Sequence, residues 1–161
     1  MLIELPTLWI GLLNVAAWLI IQFGLAWGLT LIPAGRFHPR GRAARLCRWE
    51  QPGRIYEKVF AIKLWKDRLP DAAGWFRSGF PKASLRARTP DYYERFLRET
   101  WRGELVHWLA LFAIPVFALW NPPWAVAVNA VYAMAANLPC LLVQRYNRGR
   151  LLRLPPLAQR Q

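Results

Sequence analysis

The chain has 161 residues, 55% of them hydrophobic and ten of them tryptophan, with a formal net charge of +13. That length allows one domain. The apolar residues gather into three runs instead of spreading over a soluble core, which argues against a soluble nucleic-acid binder despite the charge. The two cysteines, Cys47 and Cys140, have no disulfide or zinc spacing, and no glycine-rich nucleotide loop or acidic metal cluster occurs. Neither a metal nor a cofactor is therefore assigned.

Residues 8–32 form an uncharged stretch of 25, more than the roughly 20 needed to cross the hydrocarbon. Trp9 and Trp27 lie near its ends, as interfacial anchors do. No basic residue precedes it and it is too long for a signal-peptide core, so it reads as a retained span. Asn14, Gln22 and the small pair Gly24 and Gly28 suggest a face packed on the other spans, since small residues four apart let helices approach closely. Such a face is also compatible with a homo-oligomer.

Residues 33–49 are rich in Pro, Gly and Arg without a regular period, which predicts a surface loop with His38 solvated. Residues 54–66 place Ile55, Val59 and Ile62 on one helical face, with Tyr56 and Phe60 beside it and Glu57, Lys58 and Lys66 opposite. This pattern predicts an amphipathic helix lying in the interface and ending at Leu69-Pro70-Asp71. A turn with exposed aromatics is expected around 75–80.

Thr89-Pro90-Asp91 is a helix start: a capping hydroxyl, a proline at the first helical position and an acid in the first turn. Tyr92, Tyr93, Phe96, Leu97 and Thr100 follow at helical spacing, and the helix can continue through Gly103 into a second span, 104–120, that Pro115 should kink. The short connection at Asn121-Pro-Pro123 makes the third span, 123–144, its antiparallel neighbour. Of the 22 Lys and Arg, 17 fall within 36–102 and 5 after Gln144. The positive-inside rule then places the interfacial segment 33–103 and the tail 145–161 in the cytoplasm and the N-terminus outside. The expected fold is an all-α integral membrane protein. It has three transmembrane helices plus cytoplasmic interfacial amphipathic helices.

Antiparallel neighbours joined outside must meet again inside. There the second span begins Glu99-Thr-Trp-Arg102-Gly-Glu104-Leu-Val-His107-Trp108, and the third ends Asn137-Leu-Pro-Cys140-Leu-Leu-Val-Gln144-Arg145-Tyr146-Asn147-Arg148. Polar side chains in a bilayer are expensive, so their clustering marks a site. His107 is the candidate general base, Glu104 its orienting carboxylate and Asn137, with Gln144, the oxyanion donor. Arg102, Arg145 and Arg148 are candidates for gripping a donor's phosphates. Glu99, Trp108, Cys140, Tyr146, Asn147 and, from the interfacial segment, Lys63, Trp65 and Lys66 complete the expected substrate-binding set. Cys140 as a nucleophile is the weaker alternative, because nothing nearby lowers a buried thiol's pKa.

These residues carry a resemblance. Tyr56-Glu-Lys-x-Phe-x-Ile-Lys-x-Trp-Lys-Asp-x-Leu-Pro-Asp71, Glu99-Thr-x-Arg-Gly-Glu-x-x-His-Trp108, Leu119-Trp-Asn121 and Asn137-Leu-Pro-Cys-x-x-x-Gln-Arg-Tyr-Asn-Arg148 resemble the glycosyl-4,4'-diaponeurosporenoate acyltransferase family. The resemblance runs from about Tyr56 to Arg150. It implies transfer of a fatty acyl chain to a sugar hydroxyl of a glycosylated carotenoid. The partners expected are a lipid acceptor in the bilayer and an acyl thioester donor, acyl-CoA or acyl carrier protein, with no nucleic acid. Two other readings stand beside it. One is a non-catalytic lipid-binding or assembly subunit, in which Glu104, His107 and Asn137 form a structural clasp. The other is a different interfacial group transferase.

Overall fold

A computed structural model describes residues 5–69, 79–80, 86–87 and 89–154. Helix α1 (Thr7–Leu31) is followed by 3-10 segments at Ala34–Arg36 and Arg48–Gly53 and by the short α2 (Arg54–Lys58). Further 3-10 turns at Ile62–Leu64 and Lys66–Arg68 precede α3 (Pro90–Phe112), a 3-10 segment at Ile114–Leu119 and α4 (Pro123–Leu152). No strand occurs among the described residues. Thr7–Leu31, Pro90–Leu119 and Pro123–Leu152 are each long and apolar enough to cross a membrane, so the all-α, three-span expectation holds. The expected helix stop at Pro70-Asp71 and most of the 75–80 turn lie outside the described residues.

Local chemistry explains the boundaries. Thr89 Oγ1 accepts the Tyr92 N–H at 3.3 Å and Pro90 opens α3. The helix then runs unbroken past Gly103. Pro115 ends it instead of kinking it: α3 stops at Phe112, and the chain continues as a tighter 3-10 turn. A proline has no N–H for the carbonyl four residues back, so the α ladder loses a bond there and the helix is weakened.

The α3–α4 antiparallel pair is the body of the molecule, and a glycine sets how closely it packs. A Cβ on Gly103 would lie 3.0 Å from the Gln144 amide, so that side chain crosses α3 where α3 has none of its own. Beyond it, Tyr93, Phe96 and Leu97 of α3 pack with Leu151 of α4. Helix α1 leans on this pair. The pair Gly24 and Gly28 does not make the close approach that was expected, since a Cβ on either would meet no atom within 4 Å. Trp18, with Ile10, Ala17 and Ile21, packs in a cluster with Phe117 and Ala133, and polar side chains add hydrogen bonds.

Residues 54–66 also depart from the expected single amphipathic helix. Helix α2 ends at Lys58, and Ala61 turns the chain with a left-handed φ of 45°. The cause is tertiary. Tyr56 and Ile62 both pack against Tyr146 of α4 and are buried, whereas Val59, Phe60 and Leu64 stay exposed. The segment before α2 is held against α4 by Gly53, whose φ is +88° and whose Cβ position is 3.2 Å from the Tyr146 carbonyl and 3.4 Å from Gly149 Cα. Gly53→Ala is expected to lower stability by about 1–3 kcal/mol through backbone strain and this clash. A thermal melt in detergent checks it, and an unchanged midpoint would contradict the packing.

Candidate active site

At the basic end of the bundle, four charged side chains from three parts of the chain form one hydrogen-bonded line. Glu50 is the one acid between residues 5 and 56, and it is fully buried. Arg145 of α4 grips it with a fork, Nε to Oε1 at 2.8 Å and Nη2 to Oε2 at 2.7 Å. The Tyr56 hydroxyl and the Cys47 N–H also donate to it. Arg145 Nη1 continues to Glu104 Oε1 of α3 at 2.6 Å. The second Glu104 oxygen accepts from the fully buried Arg148, and Trp108 Nε1 donates to Oε1 at 3.2 Å. Burial raises the Glu50 carboxyl, but the bonds from Arg145, Tyr56 and the Cys47 N–H outweigh it and hold the group below its ordinary 4.5. Burial, with the bond to Glu50, pushes the Tyr56 phenol up.

Deeper in the bundle the polar groups are neutral. Three asparagines spaced eight apart, Asn121, Asn129 and Asn137, each donate Nδ2 to the carbonyl four residues earlier: Phe117, Ala125 and Ala133. Carbonyl oxygens only accept, so each amide is pinned with Oδ1 outward, and α1 supplies the donors. Asn14 Nδ2 reaches Asn121 at 2.9 Å, Trp18 Nε1 reaches Asn129 at 2.7 Å and Gln22 Nε2 reaches Asn137 at 3.2 Å. Interhelical bonds of this kind contribute about 0.6–2 kcal/mol each in a bilayer. On Asn137 the same oxygen lies 2.9 Å from His107 Nδ1. Because that oxygen has no proton to give, Nδ1 must carry one, and in the neutral ring Nε2 holds the lone pair.

His107 and Asn137 are on the wall of a cavity of about 870 Å³ between α1, α3 and α4. Glu99, Arg102, Cys140, Gln144, Asn147 and Lys66 line it as well. These predicted site residues are therefore brought together. Glu104, Trp108, Arg145, Tyr146, Arg148, Lys63 and Trp65 are not among its lining residues. Glu104 is bonded to Arg145, Arg148 and Trp108, and the contact expected from it to His107 Nδ1 comes from Asn137. Asn137 in turn points its oxygen at the imidazole, so it holds a ring and not an oxyanion. Arg145 and Arg148 are committed to buried carboxylates, which removes them as a phosphate grip. Tyr146 faces α2, donating to Glu57 at 3.0 Å. Lys63 pairs with Glu57, and Trp65 Nε1 donates to the Phe60 carbonyl at 2.8 Å. The residues that the sequence reading passed over are Glu50, Trp18 and Asn129. A lone acid in a basic run, and the eight-residue asparagine period, were the signals for two of them.

Fold and cavity together define a small polytopic membrane protein with a histidine-bearing chamber between its spans. The chain belongs to the glycosyl-4,4'-diaponeurosporenoate acyltransferase family, whose model matches residues 33–155. It is 32% identical over 144 residues to the glycosyl-4,4'-diaponeurosporenoate acyltransferase of Staphylococcus aureus strain bovine RF122 / ET3-1, covering 89% of this chain and 87% of that one. Over the same shares it is 32% identical to the protein of that name in strain MRSA252 and 31% identical to that in strain USA300. No solved structure matches it. The protein is thus an acyltransferase.

Removing one member of the charged line leaves its partners buried and unpaired. Glu104→Gln is expected to cost about 3–5 kcal/mol, read as a lower melting midpoint in detergent, and wild-type stability would contradict the clasp. Glu50, whose carboxyl titrates below its ordinary 4.5, contributes fully above that pH. Its contribution is lost as pH falls through the lowered value. Acid melts of wild type should show this loss, and Glu50→Gln, less stable at neutral pH, should lack that part of the acid dependence.

Proposed function

We propose that this acyltransferase moves a fatty acyl chain from a thioester donor to a sugar hydroxyl of a glycosylated carotenoid, with His107 as general base. The relatives' names supply the acceptor class. The observation that carries the mechanism is the His107–Asn137 pair on the cavity wall. Asn137 is the positioning residue: it fixes the Nδ1–H tautomer and so turns Nε2 into a proton acceptor. Nε2 takes the hydroxyl proton as the sugar oxygen attacks the thioester carbonyl. A C–O bond forms, the tetrahedral intermediate collapses with loss of the C–S bond, and the departing thiolate takes the proton back from the imidazolium.

The basic excess of residues 36–102 supports a cytoplasmic location for this end of the bundle, where acyl-CoA or acyl carrier protein is available. Surface cations of that segment, and not Arg145 or Arg148, are then the groups that attract a phosphorylated donor. Both substrates' apolar chains stay in hydrocarbon. The cavity wall that Val15, Leu19, Val128 and Tyr132 form suits them.

The test is transfer of label from radiolabelled palmitoyl-CoA, and in parallel palmitoyl carrier protein, to a glycolipid extract. Wild type is expected to label a lipid. His107→Ala of matched folding should lose about 10²–10⁴ in rate. Asn137→Ala should lower kcat more than it raises KM and alter the pH profile, because the tautomer is no longer held. Wild-type turnover by His107→Ala would overturn the assignment.

A further inference from the structure

Three buried polar atoms on side chains lining the cavity have no protein partner: Glu99 Oε1, Arg102 Nε and Gln144 Oε1. Leaving such groups unmet costs about 1–3 kcal/mol each, and native proteins rarely tolerate several together without a ligand or solvent to meet them. We propose that this end of the cavity, walled by Glu99, Arg102 and Gln144, is the seat of the acceptor's sugar ring. The assignment rests on the acyl-transfer reading above and adds to it the residues that recognise the sugar.

The chemistry of the lining selects a neutral polyol. Arg102 is paired with Glu99 at 3.2 Å, and Lys66 is paired with Asp67. Among the described residues these four are the charged residues of the cavity wall, and the pairs cancel. A phosphate placed here would meet the Glu99 carboxylate with no net positive charge to offset it. A sugar hydroxyl both donates and accepts, which matches two orphan acceptors beside one orphan donor. Position agrees as well. Arg102 precedes His107 by five residues, about 7 Å along α3, and Gln144 follows Asn137 by two helical turns. A ring seated between them presents a hydroxyl to His107 while its apolar aglycone runs toward Val15 and Val128.

Gly103 offers a subtle probe. A Cβ there would press within 3.0 Å of the Gln144 amide and displace it without removing any polar group.

The experiment uses the full chain in lipid nanodiscs and calorimetric titration with dodecyl β-glucoside or dodecanol, with protein-free nanodiscs subtracted. Wild type is expected to bind the glucoside about tenfold more tightly than the alcohol, as two or so added hydrogen bonds allow. Gln144→Leu and Gly103→Ala should abolish most of that preference. Glu99→Gln should weaken it as well, with folding checked because Glu99 pairs with Arg102. Equal binding of glucoside and alcohol by wild type would overturn the proposal, as would an undiminished preference in both Gln144→Leu and Gly103→Ala. A preference that stands in a wild type devoid of acyl transfer would support the seat and contradict the transfer reading instead.

Discussion

The structure depends on one arginine held between two carboxylates. Arg145 forks onto Glu50 and extends its third nitrogen to Glu104, whose other oxygen takes Arg148. Desolvating four charges is costly, and their mutual attraction offsets it only when the geometry is good; Arg148 Nε and Nη1 have no hydrogen-bond partner, and its guanidinium lies over the Trp101 ring. The line therefore specifies register. A slip of one turn between α3 and α4, about 5.4 Å, would leave Glu104 facing the wrong residues and strand Arg148 inside the protein. The same slip would carry His107 away from Asn137, which lies on the same two helices. The charged line fixes the arrangement, and the neutral pair above it inherits its alignment. Glu50 extends the constraint to the segment before α2, which packs on α4 through Gly53 and Tyr56.

Helix α1 plays a different part. It hydrogen-bonds the other spans through Asn14, Trp18 and Gln22, one helical turn apart, reaching asparagines two turns apart on the hairpin and α4. Trp18 adds a stacked contact on Phe117 at 4.6 Å. At the basic end, Arg102 donates to the Ile32 carbonyl at 2.9 Å and lies over the Phe37 ring. Helix α1 lies close against α3, and the space left between α1, α3 and α4 is the cavity. A tighter small-residue packing through Gly24 and Gly28 would have closed it.

Much of this was legible in the sequence, and the remainder was hidden for identifiable reasons. Three apolar runs and their basic flanks dictate the spans because a bilayer punishes charge without regard to context. The Thr-Pro-Asp start of α3 is local chemistry and behaves as such. His107, Asn137, Gln144, Glu99 and Arg102 fall at one end of two antiparallel helices, and spacing alone brings them to one cavity. Which carboxylate meets which cation is a different kind of fact. Glu104 is one turn from His107 on α3, and helical spacing favoured that contact. Arg145 and Arg148 arrive from α4 with full charges, and a buried carboxylate is better satisfied by them than by an imidazole. Glu50 could supply their balance only once the chain had folded back 95 residues onto α4. The break of 54–66 into short turns has the same origin, since Tyr56 and Ile62 follow Tyr146 and not the helical period.

The mechanism turns on the proton held between His107 and Asn137. The chain has two histidines, so a 15N-histidine sample reconstituted in bilayers gives a spectrum of two rings, with His38 exposed and His107 in the bundle. Nitrogen shifts measured at neutral pH report directly which ring nitrogen bears hydrogen. His107 is expected to carry a hydrogen on Nδ1, and Asn137→Ala to release the ring to a mixture of tautomers. A His107 protonated on Nε2 alone, or one indifferent to the loss of Asn137, would contradict it.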